Sequence, residues 1–147
     1  MTEQAVLEVN FPVKGGDFAQ AGEVSTKLKR VLQQLGLDAA LVRRIVIATC
    51  EAELNIVIHA YSGNLKARVS RDRVEVWAED EGPGIADVEL AMQEGYTTAP
   101  DHVRALGFGA GLGLPNIKKN SDCLKIDTAV GQGTTLYIRF DHEQQVK

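Results

Sequence analysis

The chain is predicted to fold as an α+β two-layer sandwich, a mixed and mostly antiparallel sheet covered on one face by helices. Three observations carry the prediction. Two pairs of alternating segments, "LKARVS" with "RVEVWAED" and "CLKIDTAV" with "TTLYIRF", are each joined by a short polar or glycine turn and read as hairpins. The stretch 39–60, "AALVRRIVIATCEAELNIVIHA", is too long for a strand and so apolar that most of its circumference must be buried. Strands and helices follow one another in mixed order, without the strict alternation that builds a purely parallel sheet.

Each element follows in turn. Residues 5–11, "AVLEVNF", alternate as a strand, which Pro12 and the Gly15-Gly16 pair are expected to break. Asp17 is placed to cap a helix that runs to Gly36, and the long central helix comes next. In the first hairpin Leu65, Ala67, Val69, Val74, Val76 and Ala78 fall on one face and are assigned to the core beneath the helices. A short helix is expected at 86–93, a glycine- and threonine-containing stretch with little periodicity at 94–113, and a helix at 114–120 before the second hairpin. There is no internal repeat, low-complexity tract or linker, and the 147 residues are read as a single domain, 1–147.

Composition narrows the function. With 44% hydrophobic and 24% charged residues the chain can fill one core without metals or disulfides. A net charge of −4 with scattered Lys and Arg supplies no basic field, so nucleic acid is excluded as a partner. The N-terminal "MTEQAVLEVNF" carries acids where a signal peptide carries bases, and no apolar run approaches the roughly 20 residues that span a bilayer. No membrane partner and a cytoplasmic location are therefore expected. Cys50 and Cys123 show no metal-type spacing and are read as buried thiols.

The chemistry is concentrated in four segments. "GFGAGLGLPN", 107–116, sets Gly107, Gly109, Gly111 and Gly113 at alternate positions and then enters a helix. It ends in neither the Gly-Lys-Ser/Thr of a P-loop nor the spacing of a dinucleotide fingerprint. What remains is bare amides leading to a helix N-terminus, an arrangement that favours an anion, although a flexible surface loop would use the same glycines. "EDEGPGI", 79–85, places Asp80 at a strand end before Gly82 and Gly84. A carboxylate there can accept from an exocyclic amine while the glycines admit a flat ring, and a tight turn capped by Asp is the plainer alternative.

Glu51 and Asn55 lie four apart on one face of the central helix. Oxygen donors of this kind, facing a cavity, suit Mg²⁺, and an ordinary wet stripe is the alternative. Glu53 points elsewhere and is expected to be solvated, and His59, among apolar neighbours, is read as structural. In "GQGTTLYI", 131–138, the glycines serve the turn, and Thr134 or Thr135 could reach a ligand.

Taken in order, these segments resemble the boxes of the GHKL (Bergerat-fold) ATPases, and within them the bacterial anti-sigma-factor serine kinases and related switch kinases. Glu51 and Asn55 match the N box, "DEGPGI" the G1 box and "GFGAGLGL" the G2 box, followed by "GQGTT". The resemblance implies that ATP lies between the helix layer and a lid formed by 94–112. It implies that Asn55 ligates Mg²⁺, Asp80 reads the adenine amine, and Gly82, Gly84 and Ile85 flank the base. Gly107, Gly109, Gly111, Leu112 and Gly113 would contact the triphosphate, and Thr135, or Thr134, would support Asp80. Glu51 would be the general base toward a serine or threonine hydroxyl, and Arg104 in the lid is read as a solvated charge.

The expected function is therefore an ATP-dependent protein kinase acting on a STAS-type anti-anti-sigma protein. The alternative is a nucleotide-gated anti-sigma factor or partner-binding module without turnover. A sigma factor or a phosphatase-type regulator would be a further partner, and a homodimer is compatible with the resemblance.

Overall fold

The computed structural model describes residues 7–93 and 113–142. Strands β1 (Leu7–Lys14), β2 (Ser62–Val69), β3 (Arg73–Glu81), β4 (Cys123–Ala129) and β5 (Gly133–Asp141) form one sheet in the order β1-β2-β3-β5-β4. All neighbours are antiparallel, so among the described residues the expected mixed sheet is wholly antiparallel. The connections explain this: β2–β3 and β4–β5 are hairpins, and two successive helices between β1 and β2 reverse the chain twice before it returns.

Strand β1 continues through Pro12, contrary to expectation. It is an edge strand, and Pro12 stands opposite Asn64 where a missing N–H need not interrupt an inner ladder. Asp17 does not cap a helix either. A short 3-10 turn, Phe18–Gln20, comes first, and helix α1 (Glu23–Gln34) starts after Gly22, which sits at φ 91° and has no side chain to cap with. Helix α2 (Ala39–His59) follows the sequence reading closely, its Asp38 side chain accepting from the N–H groups of Ala40 and Leu41. Helix α3 is only Val88–Ala91, and α4 spans Gly113–Asn120.

The inner face of the sheet carries Leu65, Ala67, Val69, Val74, Val76, Ala78, Leu136, Ile138 and Phe140, all buried as the alternation predicts. Against it pack Leu28 and Leu32 of α1, Ile45, Ala48, Ala52 and Ile56 of α2, and Ile117 of α4. Each large apolar side chain removed from water contributes roughly 1.5–3 kcal/mol, so this seam is the main driving force for the two-layer arrangement. Helix α2 lies in contact with both α1 and α4, which is why so much of its surface is apolar.

The outer face is polar and cross-linked. Glu8, Arg68, Glu75 and Arg139 occupy one row across four strands, and Trp77 pairs with Tyr137 at 5.5 Å beneath Lys66. Burial and then the Glu75 carboxylate, which accepts from Tyr137 Oη at 2.6 Å, push that phenol up to about 12.

Candidate functional site

The candidate residues fall in two groups, one between α2 and α4 and one at the end of β3. Glu51 and Asn55 project from α2 toward the amino end of α4. A Cβ added to Gly113, the first residue of α4, would lie 3.3 Å from both Asn55 Oδ1 and Glu51 Oε2. A side chain there would push these two oxygens back by a few tenths of an ångström. The end of α4 also carries the positive pole common to helix N-termini. Burial raises the Glu51 carboxyl above its ordinary value.

The second half is the loop after β3. Asp80 ends the inward-facing series Val74, Val76, Ala78, and its Oδ1 accepts from the Thr134 N–H at 3.0 Å. Burial raises the Asp80 carboxyl, and that hydrogen bond partly opposes the rise. Thr134 Oγ1 lies 2.8 Å from Thr128 Oγ1, which in turn accepts from the Ile85 N–H at 2.8 Å. Asp80, Thr134, Thr128 and Ile85 thus form one hydrogen-bonded line from strand end to loop.

The two loop glycines serve the chain itself. A Cβ at Gly82 would meet Ala60 Cα at 2.9 Å, and Gly84, at φ 77°, would press one against the Ala129 carbonyl at 2.5 Å. Turn packing therefore demands glycine there whatever lies alongside.

The structure brings together Glu51, Asn55 and Gly113 in one group, and Asp80, Gly82, Gly84, Ile85 and Thr134 in another. Thr135 belongs to neither group: it pairs with Glu79 on the outer face, since neighbouring strand residues point to opposite sides. Of the two threonines left open by the sequence, Thr134 is the one against Asp80. Gly107, Gly109, Gly111, Leu112 and Arg104 lie outside the described residues.

Glu53 overturns the expectation of a solvated side chain. It is 2% exposed. Its Oε2 accepts from the N–H groups of Gly22 and Val24, and its Oε1 from the N–H and hydroxyl of Ser25. The carboxylate is thus the cap that α1 lacks, supplied from another helix. Cys50 and Cys123 are half-buried rather than buried. Burial first, then the charges of Glu53 and Glu51, raise the Cys50 thiol. Burial lowers the His59 imidazole from its ordinary value.

Sequence reasoning missed Thr128, whose signal was its place in the inward alternation Leu124, Ile126, Thr128. It also missed Arg44, which bonds to the far end of α4.

Residues 16–140 match the histidine kinase-like ATPase domain. The chain belongs to that family. Membership carries nucleotide use with it. The serine/threonine-protein kinase RsbT of Bacillus subtilis (strain 168) is 30% identical over 112 residues, covering 74% of this chain and 78% of that protein. An anti-sigma F factor of Thermoanaerobacter sp. (strain X514) is 30% identical over 145 residues, covering 92% of this chain and 96% of its own length. In the crystal structure of the SiaB-SiaC complex from Pseudomonas aeruginosa, one chain superposes with a TM-score of 0.54 at 13% identity, over 95% of this chain and 92% of that one. The last similarity supports the α+β sandwich. Among the described residues of this histidine kinase-like ATPase domain, no helix is long and apolar enough to cross a membrane.

Proposed function

We propose that this chain is an ATP-dependent serine/threonine protein kinase of a cytoplasmic partner-switching pathway, with a STAS-type anti-anti-sigma protein as its substrate. The observation that supports this most is the convergence of Glu51, Asn55 and the bare amino end of α4 at Gly113. A carboxylate, an amide oxygen and a positive helix end in contact suit a triphosphate with its metal and a hydroxyl to be deprotonated.

The residues present fit Mg²⁺. Asn55 Oδ1 is a hard oxygen donor, the Glu51 carboxyl lies next to it, and Mg²⁺ commonly keeps waters and phosphate oxygens as its other ligands. Asn55 would hold the ion, which when bound neutralises charge building up on the phosphates. Asp80, with Oδ1 fixed by Thr134, would accept from the adenine amine through Oδ2. Glu51 would take the proton of the protein hydroxyl as its oxygen bonds the γ-phosphorus. The bond to the bridging oxygen breaks, and ADP leaves with the electron pair. A raised carboxyl is the stronger base once ionised, which is what this role asks of Glu51.

The anti-sigma F name of a relative that matches nearly the whole chain favours a second reading, a nucleotide-gated factor that sequesters a sigma factor without turnover. Incubation with γ-labelled ATP, magnesium and purified STAS proteins separates the two. Label on the partner is expected, and a tight complex without label would replace the kinase reading by the second one.

A further inference from the structure

Helices α2 and α4 pack along their length, with a polar or glycine contact near each end of α4. At one, Gly113 lies against Glu51 and Asn55. At the other, Arg44 Nε donates to the Asn120 carbonyl at 3.1 Å, and its Nη2 reaches Asp122 Oδ2 at 3.2 Å. Asp122 Oδ2 also accepts from the Asp141 N–H at 2.7 Å, tying this end to the last residue of β5. Arg44 precedes Glu51 by seven positions on α2, and Gly113 precedes Asn120 by seven on α4. At 1.5 Å per residue the two contacts are spaced about 10 Å apart on each antiparallel partner, so they match only in one register.

The chemistry suits a clamp. Asn120 is the last residue of α4, where carbonyls lack intrahelical partners and the pole is negative, so a guanidinium there is favoured. Its planar fork can hold the carbonyl and the carboxylate together, which an ammonium could not. The pair is over a third exposed, so its ion-pair contribution to stability is small, and geometry is the better reason for its presence.

We infer that Arg44 is a positioning residue: by fixing the register of α4 on α2 it holds the amino end of α4 over Glu51 and Asn55, and so sets the phosphate end of the nucleotide site. The inference rests on the nucleotide-binding reading above. It assigns no role to Arg44 at the adenine end, where Asp80 and Thr134 are held by strand pairing instead.

Calorimetric titration with ATP, ADP and adenosine in magnesium tests it. Arg44→Met keeps much of the stem and removes both donors. It should weaken ATP binding by about tenfold, the scale expected when phosphate contacts are misplaced by part of an ångström, and leave adenosine affinity within about twofold. Asp122→Asn keeps the Asn120 contact and an acceptor for Asp141, and should stay near wild type for all three ligands. If Arg44→Met binds ATP as wild type does, or weakens all three ligands equally, the positioning role is refuted. An Asp122→Asn loss as large as that of Arg44→Met would overturn the assignment to the helix end. If Arg44→Met does not fold, Arg44→Gln carries the same test, because it too lacks the guanidinium that reaches Asn120 and Asp122. A wild-type chain that binds no nucleotide would refute the proposed function, a result distinct from wild-type ATP affinity in the Arg44 variants.

Discussion

Glu53→Ala is the most demanding test of how the helix layer is held. In the wild type, one buried carboxylate receives four hydrogen bonds, from Gly22, Val24 and both donors of Ser25, at 2.7–3.3 Å. Among the described residues no other side chain caps the start of α1, since Gly22 has none. Alanine leaves these donors facing a small void and removes a negative charge from the positive pole of α1. Hydrogen bonds to a charged acceptor contribute about 1.5–3 kcal/mol each, but water can enter at the partly exposed Gly22 and the terms overlap, so the net loss should be about 3–4 kcal/mol. For a chain of this length that corresponds to roughly 10 °C in Tm. Glu53→Gln keeps the volume and one oxygen but turns an NH₂ toward N–H donors, and about half the loss is expected. Urea unfolding followed by far-ultraviolet circular dichroism measures both. A loss for Glu53→Ala below about 0.5 kcal/mol would refute the view that this carboxylate anchors α1 to α2.

Further outcomes are expected for three substitutions and for the pH dependence of transfer. Glu51→Gln should abolish phosphoryl transfer while nucleotide still binds; transfer at the wild-type rate would remove Glu51 from the base role. Because burial raises the folded-state carboxyl above its unfolded value, the folded state holds the proton more tightly and stability falls as pH rises through that window. Glu51→Gln should therefore match or exceed wild-type Tm at neutral pH and lose that advantage below the ordinary carboxylate range, as thermal scans against pH would show. Transfer itself should rise with pH through the raised value and then level off; a rate that climbed only across the ordinary carboxylate range would contradict the shift. Asp80→Asn should weaken ATP binding by roughly tenfold or more by calorimetry, through loss of a charged acceptor, and unchanged affinity would dissociate Asp80 from the base. Gly84→Ala should cost about 1–3 kcal/mol in urea unfolding, because the residue sits at φ 77° with a Cβ position 2.5 Å from the Ala129 carbonyl; a neutral result would contradict that loop conformation.

The candidate site was legible where it depended on local spacing. Four residues along a helix make one face, so Glu51 and Asn55 were paired without coordinates, and Asp80 was placed at a strand end by the alternation before it. The choice between Thr134 and Thr135 was open because adjacent strand residues are equivalent until the register with β3 assigns one to each face. Glu53 was misread for a related reason. Helical spacing separates it from Glu51, but only the docking of α1 determines whether that side meets water or four donors.

The sequence by itself determined the elements, the core-facing residues of the hairpins and the stripe on α2, because periodicity and glycine turns act over a few residues. Tertiary structure alone decided what depends on partners distant in the chain. Pro12 is tolerated because β1 lies at an edge; Glu53 is buried because α1 begins at an uncapped glycine; Gly113 reaches Asn55 because α4 runs antiparallel to α2 in one register. Side-chain pattern states what a residue can satisfy, and packing selects which of those demands is met.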